Sequence, residues 1–112
     1  MDISKLNRML AYAQAVNILQ TPEEYLGKRM RVGGLYDAVF YDPTEAYYHF
    51  ILIGDEALCC QVELEFLWSG DHTYPDDYPK QKAAIEVEGL FATYEELGKT
   101  YYHLLVDELT IL

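Results

Sequence analysis

The residues able to do chemistry in this sequence fall in four places. Cys59 and Cys60 are the only cysteines, and they are adjacent. Neighbouring Cα atoms lie ~3.8 Å apart across a trans peptide, below the usual disulfide span, so a bridge between them would be strained. On a strand their side chains point to opposite faces. Cys60, sharing its face with Leu58, Val62 and Leu64, reads as a small core residue, and Cys59, beside Gln61 and Glu63, as the accessible thiol. No histidine close in sequence is placed to activate it as a nucleophile. The second place is the segment from Gly70 to Pro79, where Asp71, His72, Asp76 and Asp77 gather three carboxylates and an imidazole. Oxygen-rich loops can hold Ca²⁺, but the alternating ligands and central glycine of an EF-hand are missing here. The plainer expectation is a proline-stiffened loop whose Tyr74 and Tyr78 pack on the body of the domain while Asp76 and Asp77 face solvent.

His49 and His103 make the third place, each within a Tyr-His pattern, Tyr48-His49-Phe50 and Tyr102-His103-Leu104. A zinc site needs three or four convergent ligands, and neither C-x-x-C nor H-E-x-x-H spacing occurs, so both read as structural or surface histidines. The fourth is the tyrosine content, eleven in 112 residues. Tyrosine packs cores and interfaces while its hydroxyl reaches water, and exposed aromatics on strands also make stacking platforms for bases or sugars. Tyr36, Tyr47, Tyr48, Tyr94 and Tyr101, on or beside expected strands, are the binding candidates, with Tyr41 close by. A metal-binding alternative would draw on Cys59, His72, Asp71, Asp76 and Asp77. No Ser-His-Asp arrangement, phosphate loop or dinucleotide fingerprint is present, no cofactor is expected, and an enzyme ranks third.

The elements that must position these residues follow from periodicity. From Asp2 to Leu19, Ile3, Leu6, Met9, Leu10, Ala13 and Val16 recur three or four apart, which predicts a helix with Asp2 as its N-cap. Thr21-Pro22-Glu23-Glu24 reads as a capping box opening one short turn, stopped at Gly27. Beyond it the period becomes two. Strands are expected at about Lys28 to Phe40, Tyr47 to Ile53, Ala57 to Phe66, Ala83 to Tyr94 and Tyr101 to Leu109. Gly33-Gly34 should mark a bulge or bend in the first strand, Gly54-Asp55-Glu56 a hairpin, and residues 67–82 a long connection. Five strands, a long bent first strand and a long connection between the third and fourth fit a five-stranded OB-like barrel behind an N-terminal helix. A small α+β open sheet is the competing arrangement.

Length places the whole chain, 1–112, in one domain, with the helix over 1–20 and the barrel over 21–112. No stretch approaches the ~18 consecutive apolar residues of a membrane span, so direct membrane insertion is not expected. The charge is uneven as well as large. Nineteen acidic against eight basic residues give −11, and no Lys or Arg occurs between Arg31 and Lys80, where ten acidic residues fall. Such a surface repels polyphosphate, because nucleic-acid affinity rests on Lys and Arg displacing counterions.

Several stretches, Pro22-Glu23-Glu24-Tyr25-Leu26-Gly27-Lys28, Gly33-Gly34-Leu35-Tyr36, Cys59-Cys60, Tyr74-Pro75-Asp76-Asp77-Tyr78-Pro79 and Ile85-Glu86-Val87-Glu88-Gly89, carry a resemblance over nearly the whole chain. The sequence resembles a family of uncharacterised bacterial OB-like domains, of Firmicutes type, often the soluble part of lipoproteins. That resemblance implies an OB-like fold and an exported, membrane-tethered parent, and it carries no activity. Together these readings predict a non-enzymatic binding module whose partner is a peptide, a carbohydrate or a protein rather than a nucleic acid.

Overall fold

The computed structural model describes residues 1–54 and 60–112. After a short N-terminal arm come a helix, α1 (Arg8–Gln20), a 3₁₀ turn (Pro22–Tyr25), and five strands, β1 (Arg29–Tyr41), β2 (Ala46–Gly54), β3 (Gln61–Trp68), β4 (Ala84–Glu96) and β5 (Lys99–Ile111). The strands close into a barrel in the order β1-β2-β3-β5-β4. Every neighbouring pair is antiparallel except β3 with β5. This is the expected OB-like barrel, and the open α+β sheet is set aside.

Closure depends on β1, which pairs with β4 through its first half and with β2 through its second. Leu35 is the switch point, opposite both Ala84 and Leu52. A Cβ on Gly34 would collide with the carbonyl of Leu52, whereas one on Gly33 would meet nothing closer than 3.8 Å. The bend expected from the glycine pair therefore rests on Gly34. The register shift itself lies elsewhere, between Glu88 and Gly89 on β4. There Gly89 lets the backbone of Leu105 come so close that no side chain fits.

Alternation fills the barrel as expected. Met30 and Val32, Ile51 and Ile53, Leu64 and Phe66, Ile85, Val87 and Phe91, and Leu104 and Val106 all point into one core. Removing such side chains from water, at roughly 25 cal/mol per Å² of apolar surface, is the main stabilising term. Outside, Arg29 and Arg31 form a ladder with Glu86, Glu88 and Asp107 on β4 and β5. Their guanidinium groups hold the Glu88 carboxyl below its ordinary range.

Both barrel ends are covered, and one cover departs from the sequence reading. The helix starts at Arg8 rather than Asp2, because Asn7 is the N-cap and its side chain accepts the Leu10 N–H at 2.9 Å. Asp2 turns to the Ser4 backbone and hydroxyl instead. Residues 1–4 extend alongside β1, with Ile3 N–H donating to Arg31 O at 2.8 Å, and this seats Ile3 in the core. The expected helical face is also wrong: Met9 and Leu10 are about half exposed, and Ala15 and Ile18 are the buried positions. Apolar residues surround this helix, so their spacing does not single out a face. The capping box does not form either, since Thr21 makes no side-chain cap and its hydroxyl donates back to Asn17 O. Packed against β2 and β3, α1 lies toward the Ile53 end of the barrel.

The connection from β3 to β4 covers the end near His49. Tyr74 and Tyr78 pack against the core, as expected. Gln81 behaves like a strand residue, its side-chain amide accepting the Ala38 N–H at 3.0 Å and donating to Ala38 O at 2.9 Å. Lys82 N–H donates to Tyr36 O, and Tyr36 N–H to Ala83 O.

Candidate functional site

Two β-hairpins, β1-β2 and β4-β5, run past the body of the barrel, and the aromatic residues on their outer faces meet across a cleft of about 400 Å³. Strand period two explains the set. Val39 and Tyr41 on β1, Tyr48 and Phe50 on β2, Tyr94 and Glu96 on β4, and Tyr101 on β5 all occupy outward positions, and Glu65 of β3 forms the floor. Register brings them together, with Val39 opposite Tyr48, Phe50 opposite Glu65, and Tyr94 opposite Tyr101. Rings line up in pairs, Tyr94 stacked on Tyr101 at 5.5 Å between centroids and Tyr41 edge-on to Tyr48 at 6.0 Å.

Two hydrogen bonds tie the β4-β5 hairpin to the rest of the barrel across this cleft. Tyr94 Oη donates to Glu65, 2.7 Å from both carboxylate oxygens, and Tyr48 Oη donates to Glu96 Oε1. Burial pushes the Glu65 carboxyl above its ordinary value, with the Tyr94 hydroxyl opposing that rise and the charge of Glu96 adding to it. The Tyr94 phenol is raised by burial and by its hydrogen bond to Glu65. Both phenols are raised, so each stays protonated, and each carboxylate has a tyrosine donor among the described residues. No Lys or Arg lines the cleft.

The tyrosine candidates divide. Tyr48, Tyr94 and Tyr101 come together in the cleft. Tyr36 does not: its side chain is fully buried inside the barrel, with Oη 2.7 Å from His49 Nδ1. Even-numbered positions of β1 face inward, and the turn of β1 at Leu35 places Tyr36 under the covering loop. Tyr47 is half exposed and packs on Tyr74 at 4.5 Å and Phe40 at 5.2 Å, so it belongs to that loop cover. Tyr41, Phe50, Glu65 and Glu96 were not among the candidates. The signal available for them was the recurrence of aromatic and acidic residues at outward strand positions near both hairpin tips.

The metal alternative finds no support in the geometry. Among the described residues no three His, Cys, Asp or Glu side chains converge as a cation would need. His72 stacks flat on Trp68 at 3.5 Å, and Asp77 accepts the Thr73 N–H at 2.7 Å, closing its own turn. Asp71 and Asp76 are exposed. Cys59 lies outside the described residues, as does the expected hairpin at Asp55-Glu56. Cys60 is exposed, against the expectation that it packs inside. β3 opens only at Gln61, paired with Gly54, so Cys60 precedes the ladder and strand alternation does not govern it.

The two histidines do not pair across a ladder, since β2 and β5 flank β3 on opposite sides. His49 is enclosed by Tyr36, Tyr74 and Tyr78, stacked on the last at 4.1 Å, and burial drops its pKa to about 4. His103 lies against Tyr94 at 4.6 Å and is likewise lowered by burial. No family model matches this chain, and no curated protein matches it either.

Proposed function

We propose that this chain is a non-enzymatic binding module that holds its partner in the cleft between the β1-β2 and β4-β5 hairpin tips. The observation that carries the reading is the cleft itself, walled by Tyr41, Tyr48, Phe50, Tyr94 and Tyr101 on the barrel face where OB folds take their ligands. Aromatic walls suit flat or aliphatic groups of a peptide, a protein or a carbohydrate. Glu65 and Glu96, with no basic residue beside them in the lining, turn phosphate-rich chains away. Among the described residues the lining holds no Ser, Thr, Cys, Lys or His, and both carboxylates already accept a tyrosine hydroxyl, which favours binding over turnover. The resemblance to lipoprotein domains extends the proposal to an exported, membrane-tethered parent, and reading the gene upstream of Met1 tests that part.

A panel of peptides and oligosaccharides titrated into isotopically labelled protein tests the binding site. Amide shifts should concentrate on β2, the end of β4 and the start of β5. Tyr101→Ala should weaken the bound member about tenfold, the usual scale for losing one aromatic stacking surface. Ligand shifts that map to the helix or to residues 69–83 instead would overturn the assignment.

A further inference from the structure

The cleft unites two features that ordinarily lie apart, a wall of aromatic rings and a pair of carboxylates, the half-buried Glu65 and Glu96. We propose that its preferred ligand is an alkylated ammonium group, a trimethylammonium head or a methylated lysine side chain, seated among the tyrosines with its charge facing Glu65 and Glu96. This deepens the binding reading above and rests on it.

Three observations favour this chemistry. The face of an aromatic ring carries negative potential, and rings on several sides of one space attract a cation that has little water to lose. Tyr48, Tyr94 and Tyr101 surround the cleft from β2, β4 and β5, and Phe50 completes the wall beside Glu65. The only formal charges in the lining are negative, on Glu65 and Glu96. Lys99 stands opposite Glu96 at the hairpin tip, yet among the described residues no ion pair joins them, and Lys99 is outside the lining.

The geometry also separates ammonium from guanidinium. Tyr94 Oη sits 2.7 Å from both oxygens of Glu65, across the edge where a guanidinium fork would dock with two parallel hydrogen bonds. An arginine would have to displace the phenol. A methylated ammonium needs no hydrogen bond, so it gains from ring faces and charge while the Tyr94 and Tyr48 hydroxyls keep their partners. Its methyl groups also match the apolar walls, which a bare ammonium with its tightly held water does not.

Choline and its neutral carbon isostere, in which a tert-butyl group replaces the trimethylammonium, differ in charge and hardly in shape. Titrated separately and followed by amide shifts, choline should bind in the cleft and the isostere at least about tenfold more weakly. Short peptides carrying trimethyllysine, lysine or arginine form the second arm, and they tell a protein-borne head from a free one. Binding should rank trimethyllysine first and arginine last. Glu65→Gln retains an acceptor for Tyr94 and should keep the melting temperature while weakening choline about tenfold. Glu96→Gln should act in the same direction. If the isostere binds as well as choline, or both variants leave choline unaffected, the cationic assignment falls while the cleft stands as a binding site. If peptides and sugars shift cleft residues and no ammonium does, the same holds. If no probe of any class shifts the cleft, both the assignment and the binding reading fall.

Discussion

The imidazole of His49 is shut inside the barrel, in contact with three tyrosine rings and only 7% exposed. Desolvation disfavours its charged form and lowers its pKa from 6.5 to about 4. Linkage fixes the sign of the consequence. Below pH 6.5 the unfolded chain takes up a proton at this histidine and the folded chain does not, so stability falls until the folded group titrates near pH 4. The shift corresponds to about 3 kcal/mol. His49→Gln keeps a polar partner for Tyr36 Oη and removes the titration. Denaturant melts of both proteins between pH 7 and pH 4 should show the wild type losing about 3 kcal/mol more than the variant. Parallel losses would mean that His49 takes up its proton in the fold over the same pH range as in the unfolded chain. Nothing in the Tyr48-His49-Phe50 pattern shows this enclosure, because its three tyrosines come from β1 and from the β3-β4 connection. The same holds for the cleft. Tyr48, Tyr94 and Tyr101 were legible as strand aromatics, but Glu65 read as one more acid on an outward face until Tyr94 was brought across to it.

At the scale of elements, glycine decides whether the barrel closes. Gly34 stands next to the residue where β1 exchanges one partner strand for the other, and its missing side chain lets Leu52 approach. That neighbour is backbone and cannot rotate away. Gly34→Ala should destabilise the domain by about 3 kcal/mol, the upper end of the usual range for overpacking, because the clash is with backbone, while Gly33→Ala should stay within about 1 kcal/mol. Thermal melts of the two variants check it, and equal losses would place the tight approach elsewhere. The five strands and most of their limits were legible in the sequence because alternation has one buried face and turn residues punctuate it, whereas the order of the strands around the barrel, set by pairings between distant segments, was not. The start of the helix was not, since Ile3 and Leu6 satisfy helical spacing while Ile3 in fact runs along β1 and Leu6 lies in the turn that follows. Asn7, a better-placed cap than Asp2, decides the matter locally. Cys60 failed for a related reason, as alternation was extended one residue past the end of the ladder.

Charge acts on the molecule as a whole, and here it is set against the use to which OB barrels with aromatic faces are often put. Holding a single strand takes stacking rings together with a positive groove along the backbone. This chain has the rings without the groove. Of its few basic residues, Arg29 and Arg31 are bound to carboxylates of β4 and β5, Lys82 lies 3.4 Å from Asp37, and Lys5 lies 4.0 Å from Asp2. The cleft where bases would stack presents Glu65 and Glu96. A strand entering it would bring phosphates toward a protein of charge −11 and meet no Lys or Arg in the cleft lining to displace its condensed counterions. Labelled single-stranded oligonucleotides, titrated at low salt where electrostatic attraction is strongest, should therefore show no binding in the range of about 1 to 100 μM typical of non-specific association. Raising the salt should not reveal any, because screening removes repulsion without supplying attraction. Micromolar binding that weakens steeply with salt would demonstrate a basic track that the distribution of Lys and Arg does not provide. It would also move the ligand of the cleft from cations to nucleic acid.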